Sequence, residues 1–315
     1  MTFTMIDLCA GTGAFSLAFE NTTKVRVVYA NDMVKESKQV YDANFEEKLS
    51  LCDLHSVKAE DVPPHDILTA GFSCQPFSVA GKQEGFDDER SNIFWKIVEI
   101  VKCHRPSCIL LENVKNLATH NKGQTFKTIL DAFTNEGYHI KHKVLDTCKV
   151  TNTPQHRERI YIACFKHKTH YDAFEFDFAP VKTSCVSTCL ERGQVDPKYY
   201  YTNKLGVYNL VADSVTKPNT IYQLRRVYVR ENKNGVCPTL TANMGTGGHN
   251  VPLIKVADGI RKLTPRECFN FQGFPETYVL PNEVSNSKLY KLAGNAVSYP
   301  VVQYFANVIV HVLSQ

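Results

Sequence analysis

The sequence predicts an α/β fold with two parts, a large domain of alternating strands and helices and a smaller domain of short strands and irregular segments. Up to about residue 165, short apolar runs alternate with amphipathic helical stretches, which is typical of a mostly parallel sheet covered by helices. After Lys166 the strands become short and polar, helical signals disappear, and Gly, Pro, Asn and Tyr increase. A chain of 315 residues is long enough to hold both parts.

The first elements indicate a nucleotide site. Residues 3–8 are apolar and predict a strand, a turn with two glycines follows, and a helix begins at Ala14. Glycines here let the backbone approach a ligand closely. A second strand, residues 25–30, ends in Asn31-Asp32, and an acid at this position can accept both ribose hydroxyls of a nucleoside. Together these features predict a Rossmann-like site for an adenosine-containing cofactor. Asp53 either reaches the adenine amino group or caps a turn.

The next strand carries the most reactive side chain of this region. Residues 66–70 predict a buried strand that ends at Gly71, so Cys74 lies in the loop past its carboxyl end, where open α/β sheets bind ligands. The polar segment 81–90 contains Gly81 and Gly85 and is typical of a mobile lid or of a long surface connection. Past a helix over residues 93–103 and a strand over residues 108–111, Glu112 falls on the same rim as Cys74.

The sheet closes with a helix over residues 125–136 and strands over residues 138–146 and 159–165. Two arginines precede the last of these strands, Arg157 and Arg159, and they point the same way if the segment is extended.

The second part of the chain is basic. Residues 181–260 hold ten Lys and Arg against five Asp and Glu, whereas the whole chain has a net charge of +4. This excess is typical of a polyanion-binding module, and equally of an ordinary solvated surface. Basic and apolar residues alternate over residues 224–230, and a glycine-rich loop occupies residues 237–249.

Two helices are expected toward the end of the chain. Thr264 and Pro265 predict the start of the first. The second, an amphipathic helix over residues 300–313, is expected to rejoin the first domain.

Composition excludes several classes. The chain has eleven cysteines, an odd number without any Cys-x-x-Cys pair, so we expect reduced thiols and no metal site. No apolar run reaches membrane-spanning length, and no leader pattern opens the sequence. We therefore expect a soluble intracellular protein that does not bind membranes and acts as a monomer.

Six motifs occur in an order that identifies a family: Asp7-Leu8-Cys9-Ala10-Gly11-Thr12-Gly13, the Gly71 to Ser78 loop, Glu112-Asn113-Val114, Gln155-His156-Arg157-Glu158-Arg159, the segment from Arg261 to Cys268, and Gly294-Asn295-Ala296-Val297. The chain resembles the DNA (cytosine-5) methyltransferases, specifically the compact members of bacterial restriction-modification systems, over nearly its full length except residues 166–235. The resemblance implies a Rossmann-like domain with a mixed sheet that binds S-adenosyl-L-methionine (AdoMet), formed by residues 1–170 and 290–315. It also implies a small target-recognition domain with a hinge over residues 171–289.

The resemblance implies methyl transfer from AdoMet to carbon-5 of a flipped-out cytosine in a specific double-stranded DNA sequence, with S-adenosyl-L-homocysteine as product. Cys74 would be the nucleophile at carbon-6, and Glu112 would hold and protonate ring nitrogen N3. Arg159, with Arg157 beside it, would contact O2 of the base and keep Glu112 in place. A cognate restriction endonuclease is a candidate partner.

The same resemblance assigns the binding residues. The residues expected around AdoMet are Cys9, Gly11, Thr12, Gly13, Ala14, Asp32, Met33, Asp53, Leu54, Ser73, Asn295 and Val297. The residues expected to contact DNA are Gln75, Ser78, Arg90, Arg225, Arg226, Arg230, Thr239, Leu240, Gly247 and Gly248. Thr239 and Leu240 match the family's threonine-leucine pair beside the DNA backbone, and the segment 225–230 and the loop 245–249 are candidates for groove contacts.

Three positions differ from the family pattern: Cys9 replaces a phenylalanine, Met33 a tryptophan, and Ser73 a proline. Two alternatives stay open. One is a tRNA cytosine-5 methyltransferase, because relatives of this family methylate cytosine in tRNA. The other is a catalytically silent DNA-binding relative, which follows if Cys9 and Met33 abolish AdoMet binding. A Rossmann oxidoreductase with a reactive cysteine ranks behind both, because it has no use for Glu112 together with two arginines.

Overall fold

The computed structural model describes residues 2–72, 93–246 and 250–315. Packing divides the chain into two compact units: the first comprises Met1–Leu145, Glu158–Phe178 and Val301–Gln315, and the second comprises Asp146–Arg157 and Ala179–Pro300. Residues 290–300 thus pack within the second unit, although the sequence analysis groups them with the catalytic domain. Units defined by packing need not coincide with functional domains, so the domain boundaries stay a prediction.

The first unit is organised around a seven-stranded sheet. Its strands are β1 (Phe3–Leu8), β2 (Val25–Asp32), β3 (Ser50–Leu51), β4 (Ile67–Gly71), β5 (Cys108–Val114), β6 (His139–Asp146) and β7 (Glu158–Phe165). Their order across the sheet is β3-β2-β1-β4-β5-β7-β6. The pairs from β3 through β5 are parallel and β7 runs antiparallel to β5, so the sheet is mixed.

Helices connect these strands. They are α1 (Ala14–Glu20), α2 (Lys35–Asp42), α3 (Ile93–His104), α4 (Gln124–Asn135) and α6 (Lys168–Ala173), and α10 (Tyr299–Leu313) enters this unit from Val301 onward. The α10 helix is anchored by its polar and aromatic side chains. The Gln303 side chain donates to the carbonyl of Ala18 at 3.1 Å, and the Phe305 ring lies 5.0 Å from that of Tyr161. The C-terminal helix therefore packs within the first unit from Val301 onward.

One face of the sheet packs on a continuous core. Residues of β1, β4 and β5 such as Ile6, Leu68 and Ile109 contact apolar side chains of α3 and α4, including Ile97 and Phe133, and all five are fully buried or nearly so. Strands buried on both faces explain the uninterrupted apolar runs that predict them.

The second unit holds a four-stranded antiparallel sheet and short helices. The sheet contains β8 (Ile221–Leu224), β9 (Val229–Glu231), β10 (Leu253–Val256) and β11 (Gly259–Lys262) in the order β11-β10-β8-β9. The helices are α5 (Thr147–Val150), α7 (Tyr208–Ser214), α8 (Pro265–Phe271) and α9 (Asn286–Asn295).

A buried ion pair fixes the start of α8. Both guanidinium nitrogens of Arg261 donate to the carboxylate of Glu267, at 2.6 and 2.7 Å, and both side chains are almost fully buried. The Glu267 carboxylate also accepts from the backbone N–H of Thr264, whose hydroxyl accepts from the N–H of Glu267. This reciprocal capping box confirms the helix start predicted at Thr264.

Helical signals disappear from the sequence after Lys166, yet α6, α7 and α9 lie there. The α6 and α7 helices are too short to show a helical period, and α9 is polar enough to mask its own. The alternating segment 224–230 forms a hairpin, in which β8 and β9 pair antiparallel and the N–H of Arg225 donates to the carbonyl of Tyr228 at 2.8 Å.

No single helix in the described ranges is both long and apolar enough to cross a membrane, although α9 and α10 pass that test as a bent pair on length and composition alone.

Candidate active site

The turn after β1 needs its glycines for two different reasons. Gly13 has φ +72°, and a Cβ atom there would lie 2.5 Å from Phe45 and 2.9 Å from Tyr41. Gly11 has φ +56°, but a Cβ atom on it would meet no described atom within 4 Å. Gly13 is therefore required so that Phe45 and Tyr41 can pack against the turn. Gly11 instead leaves the backbone of the turn accessible to a ligand.

Asp32, the last residue of β2, holds this turn. Its carboxylate accepts from the backbone N–H groups of Gly11 at 2.9 Å and Val34 at 2.8 Å. Burial raises the pKa of Asp32 above its ordinary value, although these hydrogen bonds oppose the rise. Each carboxylate oxygen has a second lone pair, so the group retains capacity to accept ligand hydroxyls.

The other predicted cofactor residues vary in exposure. Met33 is 71% exposed, whereas Leu54 and Thr12 are buried. Asp53 caps a short 3₁₀ helix, Leu54–Ser56, by accepting from the N–H of His55 at 3.0 Å. Burial, with the neighbouring acids, raises the pKa of the Cys9 thiol to about 12, so this cysteine stays protonated and is not a nucleophile near neutral pH.

Asp7 is a buried acid that the sequence analysis leaves without a role. Its carboxylate accepts from the N–H and hydroxyl of Ser16, at 3.2 and 2.7 Å, and from the Thr69 hydroxyl at 2.9 Å. It thereby ties β1 to α1 and to β4. Burial raises the pKa of Asp7 to about 6. Asp7 could have been noticed in the sequence as the one acidic residue within the strand predicted over residues 3–8.

Glu112 and Arg159 form an ion pair across β5 and β7. The Nε atom of Arg159 lies 3.1 Å from Oε1 of Glu112, and the two side chains are only 14% and 10% exposed. The antiparallel register sets Arg159 opposite Val114, two residues along from Glu112, so both side chains emerge on one face. The sequence analysis placed Glu112 after its strand, but β5 continues through Val114.

The residue after Glu112 holds the end of the neighbouring strand. Asn113 donates from Nδ2 to the carbonyl of Phe72 at 2.9 Å, and both residues are buried. Phe72 directly precedes Ser73 and Cys74 in the chain. Asn113 therefore fixes Phe72, the last described residue before Cys74.

Several predicted site residues lie outside the described residues. They are Ser73, Cys74, Gln75, Ser78 and Arg90, the whole predicted lid 81–90, and Gly247, Gly248 and His249. Their roles stay predictions.

In the second unit, Arg157 and Gln155 bind main-chain groups. The buried guanidinium of Arg157 donates to the carbonyls of Leu240 at 3.0 Å, Gly294 at 3.3 Å and Ala296 at 2.7 Å. Gln155 donates to the carbonyl of Phe271 at 2.6 Å and accepts from the N–H of Leu240 at 3.2 Å. These contacts support a positioning role for Arg157, whose predicted contact with the base remains a prediction.

The segment at the end of α9 approaches the backbone of another segment closely. A Cβ atom on Gly294 would lie 2.2 Å from the carbonyl carbon of Thr241, so only glycine fits there. Asn295 is exposed and Val297 half-buried. The motif Gly294 to Val297 is thus held by Arg157 and by this approach, and it presents Asn295 outward.

A polar cavity of about 670 Å³ opens in the second unit beside the β8–β9 hairpin. Its lining includes Gln223, Arg225, Arg230, Lys233, Thr239 and Asn243. Arg225 donates from Nη2 to Oε1 of Gln223 at 3.2 Å, and Gln223 lies opposite Arg230 in the strand register. Arg226 is exposed at the hairpin tip and Leu240 is buried. The sequence analysis found the arginines but missed Gln223.

A mixed sheet with a glycine turn, an acid at the tip of the second strand and a buried Glu–Arg pair defines the class of a Rossmann-like methyltransferase. The family model of the C-5 cytosine-specific DNA methylases matches residues 3–311, and the chain belongs to this family.

Individual proteins of known class are similar to this chain over nearly its full length. The type II methyltransferase M.Bsp6I of Bacillus sp. (strain RFL6) is 48% identical over 303 residues, which cover 95% of this chain and 96% of that protein. M.HaeII of Haemophilus aegyptius, also a type II methyltransferase, is 38% identical over 98% of this chain and 93% of its own length. The crystal structure of the S. pombe Dnmt2 methyltransferase has a TM-score of 0.77 at 20% identity and covers 99% of this chain and 100% of its own, which shows the shared fold.

The predicted fold class and activity are therefore confirmed: the chain is a DNA cytosine-5 methyltransferase with a mixed seven-stranded sheet and a small antiparallel sheet. The family acts on DNA, which favours the DNA substrate over the tRNA alternative.

Proposed function

We propose that this chain methylates carbon-5 of cytosine within one specific double-stranded DNA sequence, with AdoMet as the methyl donor, Cys74 as the nucleophile and Glu112 and Arg159 as the groups that act on the base. The observation that carries this proposal is the nearly buried Glu112–Arg159 ion pair at 3.1 Å. A buried carboxylate costs stability unless it is paired, so an acid held at this place is typical of a functional site.

The chemistry explains these residue types. Carbon-5 of cytosine is a poor nucleophile, and adding the Cys74 thiolate to carbon-6 turns carbon-5 into the nucleophilic end of an enamine. Negative charge moves toward N3 as the sulfur–carbon bond forms, and Glu112 holds a proton at N3 that neutralises it. Arg159 fixes the Glu112 carboxylate and donates to O2 of the base. After methylation, water takes the carbon-5 proton, the electrons of that C–H bond re-form the carbon-5–carbon-6 double bond, and the sulfur–carbon bond breaks to release Cys74 as a thiolate. The proton at N3 returns to Glu112.

The residues around the β1 turn fit AdoMet. Gly11 faces open space, the Asp32 carboxylate retains capacity for ribose hydroxyls, and exposed Met33 offers an apolar surface for the adenine. We assign Cys9, Thr12, Gly13, Ala14, Asp53 and Leu54 to the same site, with Ser73, Asn295 and Val297. When bound there, AdoMet supplies the methyl group. The protein residues orient it and exclude water.

The cavity beside the β8–β9 hairpin is our candidate for reading the DNA sequence. Arginine donates two hydrogen bonds to the O6 and N7 edge of guanine, and its orientation must be fixed for that contact. Gln223 supplies this orientation by accepting from Arg225 at 3.2 Å. Arg230 and Lys233 line the same cavity and add positive charge, which suits DNA phosphates. Arg226 is assigned, with the rest of segment 225–230, to groove contacts, and Thr239 to the DNA backbone. Buried Leu240, whose N–H and carbonyl bind Gln155 and Arg157, is assigned to holding Thr239 in place.

The relatives named as type II methyltransferases support a role in self-protection beside a restriction endonuclease of the same specificity. DNA from cells that express the chain should then resist one endonuclease specificity and remain sensitive to others.

The direct test is transfer of labelled methyl groups from AdoMet to duplex DNA and to tRNA by the purified chain, followed by bisulfite sequencing of the DNA. We expect incorporation into DNA at one short sequence motif. Incorporation into tRNA alone, or DNA retention without any transfer, would contradict the proposal.

A further inference from the structure

Three side chains of different metal-binding chemistry converge in the second unit. Asp146, Cys148 and His156 each offer one ligand atom, and the three atoms lie within 4.8 Å of one another. The Nδ1 atom of His156 is 2.6 Å from Oδ2 of Asp146, and Sγ of Cys148 is 3.5 Å from Oδ1 of the same carboxylate. Asp146 is buried, whereas Cys148 is half-buried and the His156 side chain is 51% exposed, so an ion could reach the cluster from solvent.

The backbone holds the three ligands in place independently of any ion. The N–H of Thr147 donates to the carbonyl of Arg157 at 3.0 Å, and the N–H of Cys148 donates to the carbonyl of Gln155 at 3.1 Å. The N–H of Arg157 donates to Oδ1 of Asp146 at 3.0 Å. These bonds join the segment of Asp146 and Cys148 to the segment of His156 on either side of the cluster. A site fixed in advance loses little conformational entropy when it binds.

We propose that Asp146, Cys148 and His156 bind one divalent transition-metal ion of the zinc class. A carboxylate oxygen, a thiolate sulfur and an imidazole nitrogen together form a ligand set that Zn²⁺ prefers and that Mg²⁺ and Ca²⁺ do not. At a tetrahedral ion with ligand distances of about 2.0 to 2.3 Å, neighbouring ligand atoms lie roughly 3.3 to 3.5 Å apart. The Nδ1 and Oδ2 atoms, now 2.6 Å apart, would therefore separate by less than about 1 Å as the ion enters between them. Three protein ligands leave a fourth position for water or another donor.

The proton balance is simple. The Cys148 thiol loses its proton to solvent as the sulfur–metal bond forms. The His156 ring donates from Nδ1 to Asp146 before the ion binds, so coordination through Nδ1 requires that this proton pass to solvent while Nε2 takes one from solvent. Asp146 exchanges its hydrogen bond from His156 for a metal bond through Oδ2, while Oδ1 keeps the N–H of Arg157.

The place of the cluster in the fold suggests a stabilising role and not a catalytic one. The carbonyl of His156 accepts from the hydroxyl of Thr239 at 2.7 Å, and the adjacent Arg157 binds the carbonyl of Leu240. His156 also lines the cavity assigned to DNA reading. An ion at this position would therefore stiffen the segment on which Thr239 and Leu240 depend. No zinc-ligand spacing in the sequence marks this cluster, because each of its three ligands is of a different type.

The test uses the full chain, purified without a metal-binding tag, stripped with a chelator and titrated with Co²⁺ and Zn²⁺. We expect one ion per chain and a thiolate-to-cobalt charge-transfer band in the near ultraviolet. Cys148→Ser should abolish the band and weaken Zn²⁺ binding at least about tenfold, by analogy with the loss of groups that support metal sites. The matched control is Cys185→Ser, an exposed cysteine of the same unit, which should keep both.

Unchanged cobalt spectra in Cys148→Ser would overturn the proposal, and so would weak binding of Zn²⁺ to the wild-type chain. His156→Gln guards against a folding defect in the first variant, since it changes an exposed side chain and should weaken binding without changing the circular dichroism. The inference rests on the second unit alone and uses no methyl-transfer readout, so its failure is distinguishable from failure of the proposed reaction.

Discussion

Arg159 and Glu112 face each other from antiparallel strands, with Nε of the arginine 3.1 Å from Oε1 of the acid, and water reaches little of either side chain. Replacing Arg159 by methionine removes the guanidinium from beside the buried Glu112 carboxylate, so the free energy of unfolding should fall by about 3 kcal/mol. Urea denaturation measures this change. The surface pair Lys168–Asp172 supplies the control, because Lys168→Met should cost much less. Equal losses in both variants would show that the Glu112 pair is no more buried in solution than a surface pair.

The two glycines of the β1 turn should respond differently to substitution. Gly13→Ala drives a methyl group into Phe45 and Tyr41, so the protein should be clearly destabilised. Gly11→Ala meets open space and costs only the strain of a positive φ, about 1 to 2 kcal/mol. Its main effect should be weaker AdoMet binding, measured by isothermal titration calorimetry. The midpoint of thermal unfolding of the same variant measures the cost in stability. If Gly11→Ala binds AdoMet as tightly as the wild type, the turn does not contact the cofactor.

Asp7 should make stability depend on pH. Its pKa is raised from an ordinary value of 3.8 to about 6, so between these values the folded chain binds a proton that the unfolded chain has lost. The free energy of unfolding contributed by Asp7 is therefore full below about pH 4 and falls as the pH rises through about 6.

Asp7→Asn keeps the shape and removes the proton equilibrium, so the slope of stability between pH 4 and pH 6 should become less negative by comparison with the surface control Asp172→Asn. Denaturation at several pH values tests this. Identical slopes in the two variants would mean that the Asp7 carboxyl does not titrate as the burial implies.

Gln223 should govern sequence specificity without affecting the chemistry. Gln223→Ala leaves Arg225 without its acceptor, so discrimination at one base pair should fall by about 1 to 3 kcal/mol while transfer at the preferred site continues. Genome-wide bisulfite sequencing reads the change, with Asn209→Ala on α7, outside the cavity lining, as a control. An unchanged methylation motif in Gln223→Ala would remove Gln223 and its arginine from the reading surface.

The sequence predicted the architecture of the first unit well, because its central strands β1, β4, β5 and β7 are mostly buried on both faces and its helices are amphipathic. Local composition and tertiary environment therefore agree. The site could be located for the same reason: Asp32 and Glu112 stand out as acids that end or interrupt apolar runs.

The features that could not be predicted depend on contacts between residues that are distant in sequence. Arg157 binds carbonyls more than eighty residues away. Gln223 can position Arg225 only because the hairpin brings it beside Arg225 and Arg230. Likewise, Asp146 and His156 meet because two backbone segments pair, and not because of any recognisable spacing.

The central claim is that Cys74 adds covalently to a cytosine that Glu112 holds. Duplex DNA with 5-fluorocytosine at the target position tests it most directly, because carbon-5 then has no proton to lose and the adduct cannot resolve. In the presence of AdoMet the wild-type chain should form a complex with DNA that survives denaturing electrophoresis. Cys74→Ser should bind DNA but form none, and Glu112→Gln should form it at least about 100-fold more slowly with AdoMet affinity retained. A covalent complex in Cys74→Ser equal to that of the wild type would contradict the account.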